Sequence, residues 1–290
     1  MTFRRRVDLD PGRVQDVRGR RIRGGGLAVG GGLGTLILIA AVLLFGGDLG
    51  DLAGIGGGLT EGPVGSQEIS ECQTGADANQ RQDCRLLGTI QSLDAYWSEE
   101  FSGQGTFQQP GVRVFNDGID TQCGSATSAV GPFYCPPDQG IYLDTTFFAD
   151  VLEGQLGGQG GDFVEPYVIG HEYGHHIQNL MGTMGKVRTQ QGPESDAVRL
   201  ELQADCYAGM WTKDASDGDG LLVGLDEGDI EEALDSAKAV GDDRIQQKSG
   251  QGVDPEGWTH GSSEQRMAWF TRGYEEGTLE ACDTFSASQL

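Results

Sequence analysis

Three of the four histidines in this 290-residue chain crowd one stretch, Val168-Ile169-Gly170-His171-Glu172-Tyr173-Gly174-His175-His176-Ile177. The surrounding apolar spacing predicts a helix. On a helix, His171 and His175, at i and i+4, project from one face, where two imidazoles can share a tetrahedral ion. Glu172 stands about 100° round from His171. That position suits a carboxylate that takes a proton from a metal-held water without displacing it. A chance match on an amphipathic helix would rarely gather three of four histidines in one turn. His176 points away from the His171/His175 face, which suits packing or support rather than ligation.

Two histidines need a third protein ligand. The extended metzincin form would place Gly at 178 and His at 181, where this chain has Gln178 and Met181, and the inverted H-x-x-E-H order is absent. A carboxylate from a following helix remains, with Glu194, Asp196 and Glu201 within reach in sequence. Glu201-Leu202-Gln203-Ala204-Asp205 suits best, because Glu201 and Asp205 share a helix face. One can bind the metal while the other accepts the Nδ1 hydrogen of a ligating histidine.

Charge is distributed unevenly. Of 20 basic residues, eight arginines lie in the first 23 positions beside only three of the 44 acidic ones. The acidic remainder excludes a nucleic-acid partner, whose phosphates call for Lys and Arg. Gly24 to Gly47 carries no charge, and 24 helical residues would span about 30 Å of hydrocarbon. Residues 1–23 therefore read as a basic cytoplasmic tail, 24–47 as a single transmembrane anchor, 48–67 as a Gly-rich linker and 68–290 as the folded domain, outside the membrane. The six cysteines all follow the apolar segment, as disulfides in an oxidising compartment would. Cys72–Cys84 and Cys123–Cys135 each enclose only eleven residues, leaving Cys206–Cys282 as the long loop.

Helical periodicity recurs at about 76–101, 165–182, 195–213, 228–240 and 263–276, with a shorter pattern over Phe147, Phe148, Val151 and Leu152. Short β-prone runs occupy Val112–Phe115 and Ile141–Leu143. The expected fold is α+β: a mainly helical, zincin-like domain with a small sheet, preceded by one transmembrane helix. Gly140-Ile141-Tyr142-Leu143-Asp144 is expected as an edge strand that takes substrate in extended form.

The runs Gly131-Pro132-Phe133-Tyr134-Cys135-Pro136, Tyr167 to Gln178, Glu201 to Cys206 and Thr259-His260-Gly261-Ser262-Ser263-Glu264-Gln265-Arg266 resemble the bacterial neutral zinc metallopeptidase family. Glu-x-x-Ala-Asp also resembles the gluzincin group, which includes membrane-bound prenyl-protein proteases. The resemblance implies His171, His175 and Glu201 as ligands and Glu172 as base; that leaves Asp205 as the supporting carboxylate, and one Zn2+ per chain is expected. The His260-to-Arg266 spacing resembles a stretch of those proteases where both residues contact substrate. Both are therefore expected to stabilise charge on the reacting carbonyl. The expected function is hydrolysis of peptide bonds in a peptide or protein substrate outside the cytoplasmic membrane. The alternative is a catalytically silent, zinc-stabilised binding or scaffold protein of the envelope. Retention of Glu172 favours the enzyme, since a structural zinc takes four protein ligands and needs no base.

Overall fold

A computed structural model describes residues 1–19, 69–102, 107–218, 220–250 and 252–290. Its strands are β1 (Thr2–Phe3), β2 (Gln15–Asp16), β3 (Gly111–Phe115), β4 (Gly118–Thr121), β5 (Gly124–Thr127), β6 (Phe133–Cys135), β7 (Gly140–Asp144) and β8 (Leu222–Gly224). Its α-helices are α1 (Gly75–Ala78), α2 (Gln82–Glu100), α3 (Val164–Leu180), α4 (Asp196–Asp217), α5 (Glu227–Ala239), α6 (Asp242–Lys248) and α7 (Ser263–Glu276). The class is α+β with a small sheet, as expected. The continuous helix expected over 76–101 is two helices: Thr74 and Asp77 form a capping box that starts the first, and the extended backbone of Arg81 separates it from the second. Over Phe148–Glu153 the chain forms a π-helical turn.

Small residues set how closely the long helices approach. A Cβ on Gly174 would sit 3.0 Å from the Ala204 backbone, and one on Gly170 3.3 Å from Ala208 Cβ. Helices α3 and α4 therefore meet along a seam of Gly and Ala. A Cβ on Gly273 would lie 1.9 Å from the carbonyl oxygen of Cys206, and one on Gly209 2.1 Å from that of Phe270. Helix α7 thus lies directly against α4. Around these seams sit fully buried aromatics, among them Trp97, Tyr173, Trp211 and Phe270, with Phe163 stacked on Trp211. Removing such area from water is the main favourable contribution to a core of this kind.

The main sheet has strand order β2-β3-β7-β6. Strand β3 runs parallel to β2 and β7, and β6 runs antiparallel to β7. Strand β7, Gly140–Asp144, is thus paired on both sides. The expectation that it is an open edge for substrate is corrected: its backbone groups are already used. The edge beside α3 is β6, where Tyr134 Oη accepts from Asn179 Nδ2 at 2.8 Å.

Residues 1–18 do not form a tail apart from the domain, as the sequence suggested; they are part of its body. Phe3 is fully buried and lies over Gly88 of α2. Strand β1 pairs antiparallel with β8, and Leu9 and Val14 join the core. Arg13 grips Asp94 with two bonds, at 2.6 and 2.9 Å, and Arg18 pairs with Asp16 and Asp83. Two of the arginines that resembled anchor charges, Arg13 and Arg18, thus have carboxylate partners in the fold. No helix among the described residues is long and apolar enough to cross a membrane. The expected span 24–47, the linker 48–67 and residue 68 lie outside the described residues. All three expected disulfides are present: Cys72–Cys84, Cys123–Cys135 and Cys206–Cys282.

Candidate metal centre

Helix α3 starts with Val164, Glu165 and Pro166, where a proline costs no helical hydrogen bond. It carries His171, Glu172 and His175 inward, and all three are buried. Helix α4 begins at the N-cap Ser195, whose Oγ accepts from the Val198 amide. The Gly–Ala seam brings its residue Glu201 against the histidines. Glu201 Oε2 lies 3.2 Å from His171 Nε2 and 3.4 Å from His175 Nε2. Two donors each 2.0–2.1 Å from a tetrahedral zinc sit roughly 3.3 Å apart. The three groups therefore already stand at ligand spacing, and they form a set that could hold a metal ion. Glu194 instead pairs with Arg199, and Asp196 accepts from the backbone at Arg188 and Thr189, so neither competes as the third ligand.

Each ligating ring is oriented from behind. His171 Nδ1 donates to Asp205 Oδ1 at 2.7 Å, and His175 Nδ1 donates to Gln178 Oε1 at 2.8 Å. Both bonds leave the Nε2 lone pairs facing the centre. Gln178 is held in turn by its donation to the Leu200 carbonyl at 2.6 Å and to Gln203 Oε1 at 3.2 Å. In the sequence Gln178 stands where a metzincin has glycine. Its place one turn after His175 was the available signal for a supporting role.

Arg266 is buried and takes both oxygens of Asp205, at 2.8 and 2.9 Å, while also donating to the Val240 carbonyl. Expected to stabilise charge on substrate, Arg266 has its guanidinium engaged with Asp205 behind His171. The close approach of α7 to α4 puts it there. His260 is different. Ser262, not His260, caps α7, with Gln265 completing the box. His260 Nδ1 faces Asp242 Oδ1 at 3.3 Å, and the other oxygen of Asp242 accepts from the backbone amides of Thr259, His260 and Gly261 at 2.7, 2.7 and 3.0 Å. Asp242, on the short helix α6 that sequence periodicity missed, therefore fixes both the His260 loop and its ring. His176 uses both nitrogens elsewhere, on the Gln108 carbonyl and Tyr134 Oη. It is a packing residue, as its helical position suggested.

The electrostatics suit a cation. Burial disfavours charge at Glu201, yet His175 and His171 hold its carboxyl well below the usual range. Burial likewise opposes the Asp205 anion, but Arg266 and His171 keep its pKa depressed. Burial also opposes the His175 cation, but Glu201 overrides this and raises its pKa to about 9. A metal would enter in place of protons. Glu172 differs from the others: burial raises its carboxyl, and its Oε2 is buried with no hydrogen-bond partner among the described residues. Such an orphaned oxygen is costly unless something transient meets it. A second group, Asp162, Asp229 and Glu232, also has metal-ligand spacing, but the Met1 ammonium already donates to Asp162 and Asp229 there.

No solved structure matches this chain. Among curated proteins, it is 47% identical to the Mycobacterium tuberculosis "Uncharacterized protein Rv2575" over 249 residues, covering 81% of this chain and 84% of that protein. It is 39% identical to the Escherichia coli K12 "Uncharacterized protein YpfJ" over 288 residues, covering 94% and 96%. The family model described as "Putative neutral zinc metallopeptidase" matches residues 1–285, so the chain belongs to that family.

Proposed function

We propose that this protein is a zinc-dependent peptidase with one Zn2+ per chain, a gluzincin-like site and His171, His175 and Glu201 as ligands. The observation that carries the reading is Glu172. A buried carboxylate with one unpartnered oxygen, directly beside three converged donors, has no structural task. When bound, zinc supplies an acidified water and polarises a carbonyl. Glu172 Oε2 takes the proton from the attacking water and passes it to the departing amide nitrogen. His260, raised from its ordinary pKa by Asp242 despite the opposing effect of burial, donates to the oxygen of the reacting carbonyl. Arg266 and Asp205 hold His171, and Gln178 holds His175. Three disulfides support placement of the body in an oxidising compartment outside the cytoplasmic membrane.

The test uses the purified full chain with an unbiased peptide library, with and without a chelator. The expected result is about one zinc per chain, chelator-sensitive cleavage, and Glu172→Gln protein that keeps its metal but loses turnover. Zinc-loaded protein that cleaves nothing would favour the silent binding role instead.

A further inference from the structure

Residues 1–18 make contacts that a membrane tail would not need. On α3, Tyr173 directly follows Glu172 and points about 200° away from His171, to the side opposite the ligands. Its hydroxyl donates to Asp94 Oδ1 at 2.8 Å, and Asp94 is the residue that Arg13 grips with two bonds. The chain Arg13–Asp94–Tyr173 is buried, with side-chain exposures of 13% and 7% for the ion pair and a fully buried tyrosine. Without Arg13, Asp94 would be a carboxylate in the core with only a phenol to meet it, a costly arrangement. The metal helix is thus fixed about its axis from two sides. Asp205 and Gln178 hold the ligand face, and a residue from the first turn of the chain holds the opposite face.

We propose that residues 1–18 are a positioning brace for the metal helix, acting through Arg13, Asp94 and Tyr173 and sharing one compartment with the catalytic body. Phe3 over Gly88, the β1–β8 pair, the β2–β3 pair and the Arg18–Asp83 pair attach this brace at four further places. A single membrane crossing between positions 19 and 69 would put Arg13 and Asp94 on opposite sides of about 30 Å of hydrocarbon. Such a crossing and this contact cannot coexist. The brace therefore sets a requirement on topology as well as on geometry: residues 1–18 and the body from residue 69 on share one side of any membrane.

Two arms test this in the full-length chain in cells. The first replaces exposed Arg5 or exposed Ser288 singly by Cys and applies a membrane-impermeant maleimide to intact and to permeabilised cells. The two positions should label under the same conditions. Labelling of one in intact cells while the other needs permeabilisation overturns the proposal. The second arm rests on the peptidase reading. Arg13→Ala should lower kcat about ten- to a hundredfold, the scale of a small misplacement of catalytic groups, with KM little changed, and Arg13→Lys should recover much of it. Should Arg13→Ala fail to fold, Tyr173→Phe, which removes one hydroxyl, should show the same kcat loss at unchanged zinc content. Normal kcat in the variant that folds refutes the brace. A wild type with no peptidase activity refutes the peptidase reading alone, and the labelling arm still decides compartment.

Discussion

His260 and Arg266 sit six positions apart on one loop–helix junction and play different parts. Arg266 has its guanidinium committed to Asp205, the Val240 carbonyl and Tyr167, all behind the ligands. His260 has its Nδ1 side held by Thr259 and Asp242, and the charges of His260 and Glu201 are felt at one another. His260→Ala should keep zinc and lose on the order of a hundredfold in kcat. Arg266→Ala should lose zinc affinity as well, because it leaves the buried Asp205 charge unpaired. Zinc content and kcat measured on both variants separate the roles, and equal zinc loss in both would contradict the assignment. Sequence could not make this distinction. Both residues follow the same spacing, and spacing carries no information on depth. By contrast His171, Glu172, His175, Glu201 and Asp205 were legible because i and i+4 geometry on two helices is a local property. Asp242 was not, since it acts through a contact that only the folded chain creates, whereas Gln178, one turn after His175 on the same helix, carried a local signal for its role.

At the scale of elements, α3 serves as both scaffold and machinery, and its first turn shows the strain of that double use. Glu165 is buried near Gln82 and Asp83, its Oε1 accepts from Gln82, and its Oε2 has no partner among the described residues. Burial is the main cause that raises its pKa to about 7. A carboxyl raised in the fold adds stability that is complete below its unfolded pKa of about 4.5 and is lost as pH rises through 7. Between pH 4 and 8 the wild type should lose up to about 3 kcal/mol from this group, and Glu165→Gln should lose none of it. Urea denaturation of both proteins at several pH values checks the slope; parallel profiles would reject the argument. The sheet was only half legible. Strands β3 and β7 show in the sequence as β-branched and aromatic runs, whereas β6 is three residues after Gly131-Pro132 and too short for any period to register. Missing β6 is what made β7 look like an edge.

For the molecule as a whole, covalent links and long-range ion pairs tie distant parts of the chain together. The Cys206–Cys282 bridge spans 76 positions and fastens the C-terminal segment to the helix that carries Glu201. From Cys282 the contact runs on: its carbonyl accepts from Gln203 Nε2 at 2.9 Å, Gln203 accepts from Gln178, and Gln178 orients His175. A Cys206→Ser, Cys282→Ser double variant should lose about 4 kcal/mol of stability by loop-closure entropy and bind zinc more weakly. Calorimetry and zinc titration measure the two effects; unchanged zinc affinity would show that the tail does not reach the site. The first 18 residues look different in the sequence and in the fold for a physical reason. Eight arginines before an uncharged stretch look like a membrane-orientation signal, and only the fold shows that Arg13 and Arg18 answer aspartates far along the chain.

Glu201 Oε2 stands 3.2 Å from His171 Nε2 and 3.4 Å from His175 Nε2, one carboxylate oxygen facing two imidazoles. Imidazole and carboxylate donors also accept other divalent ions of the first transition row, whose affinities rise to copper. For the zinc site proposed above, preparations from media of different metal supply should therefore differ in their share of those other ions while sharing one fold.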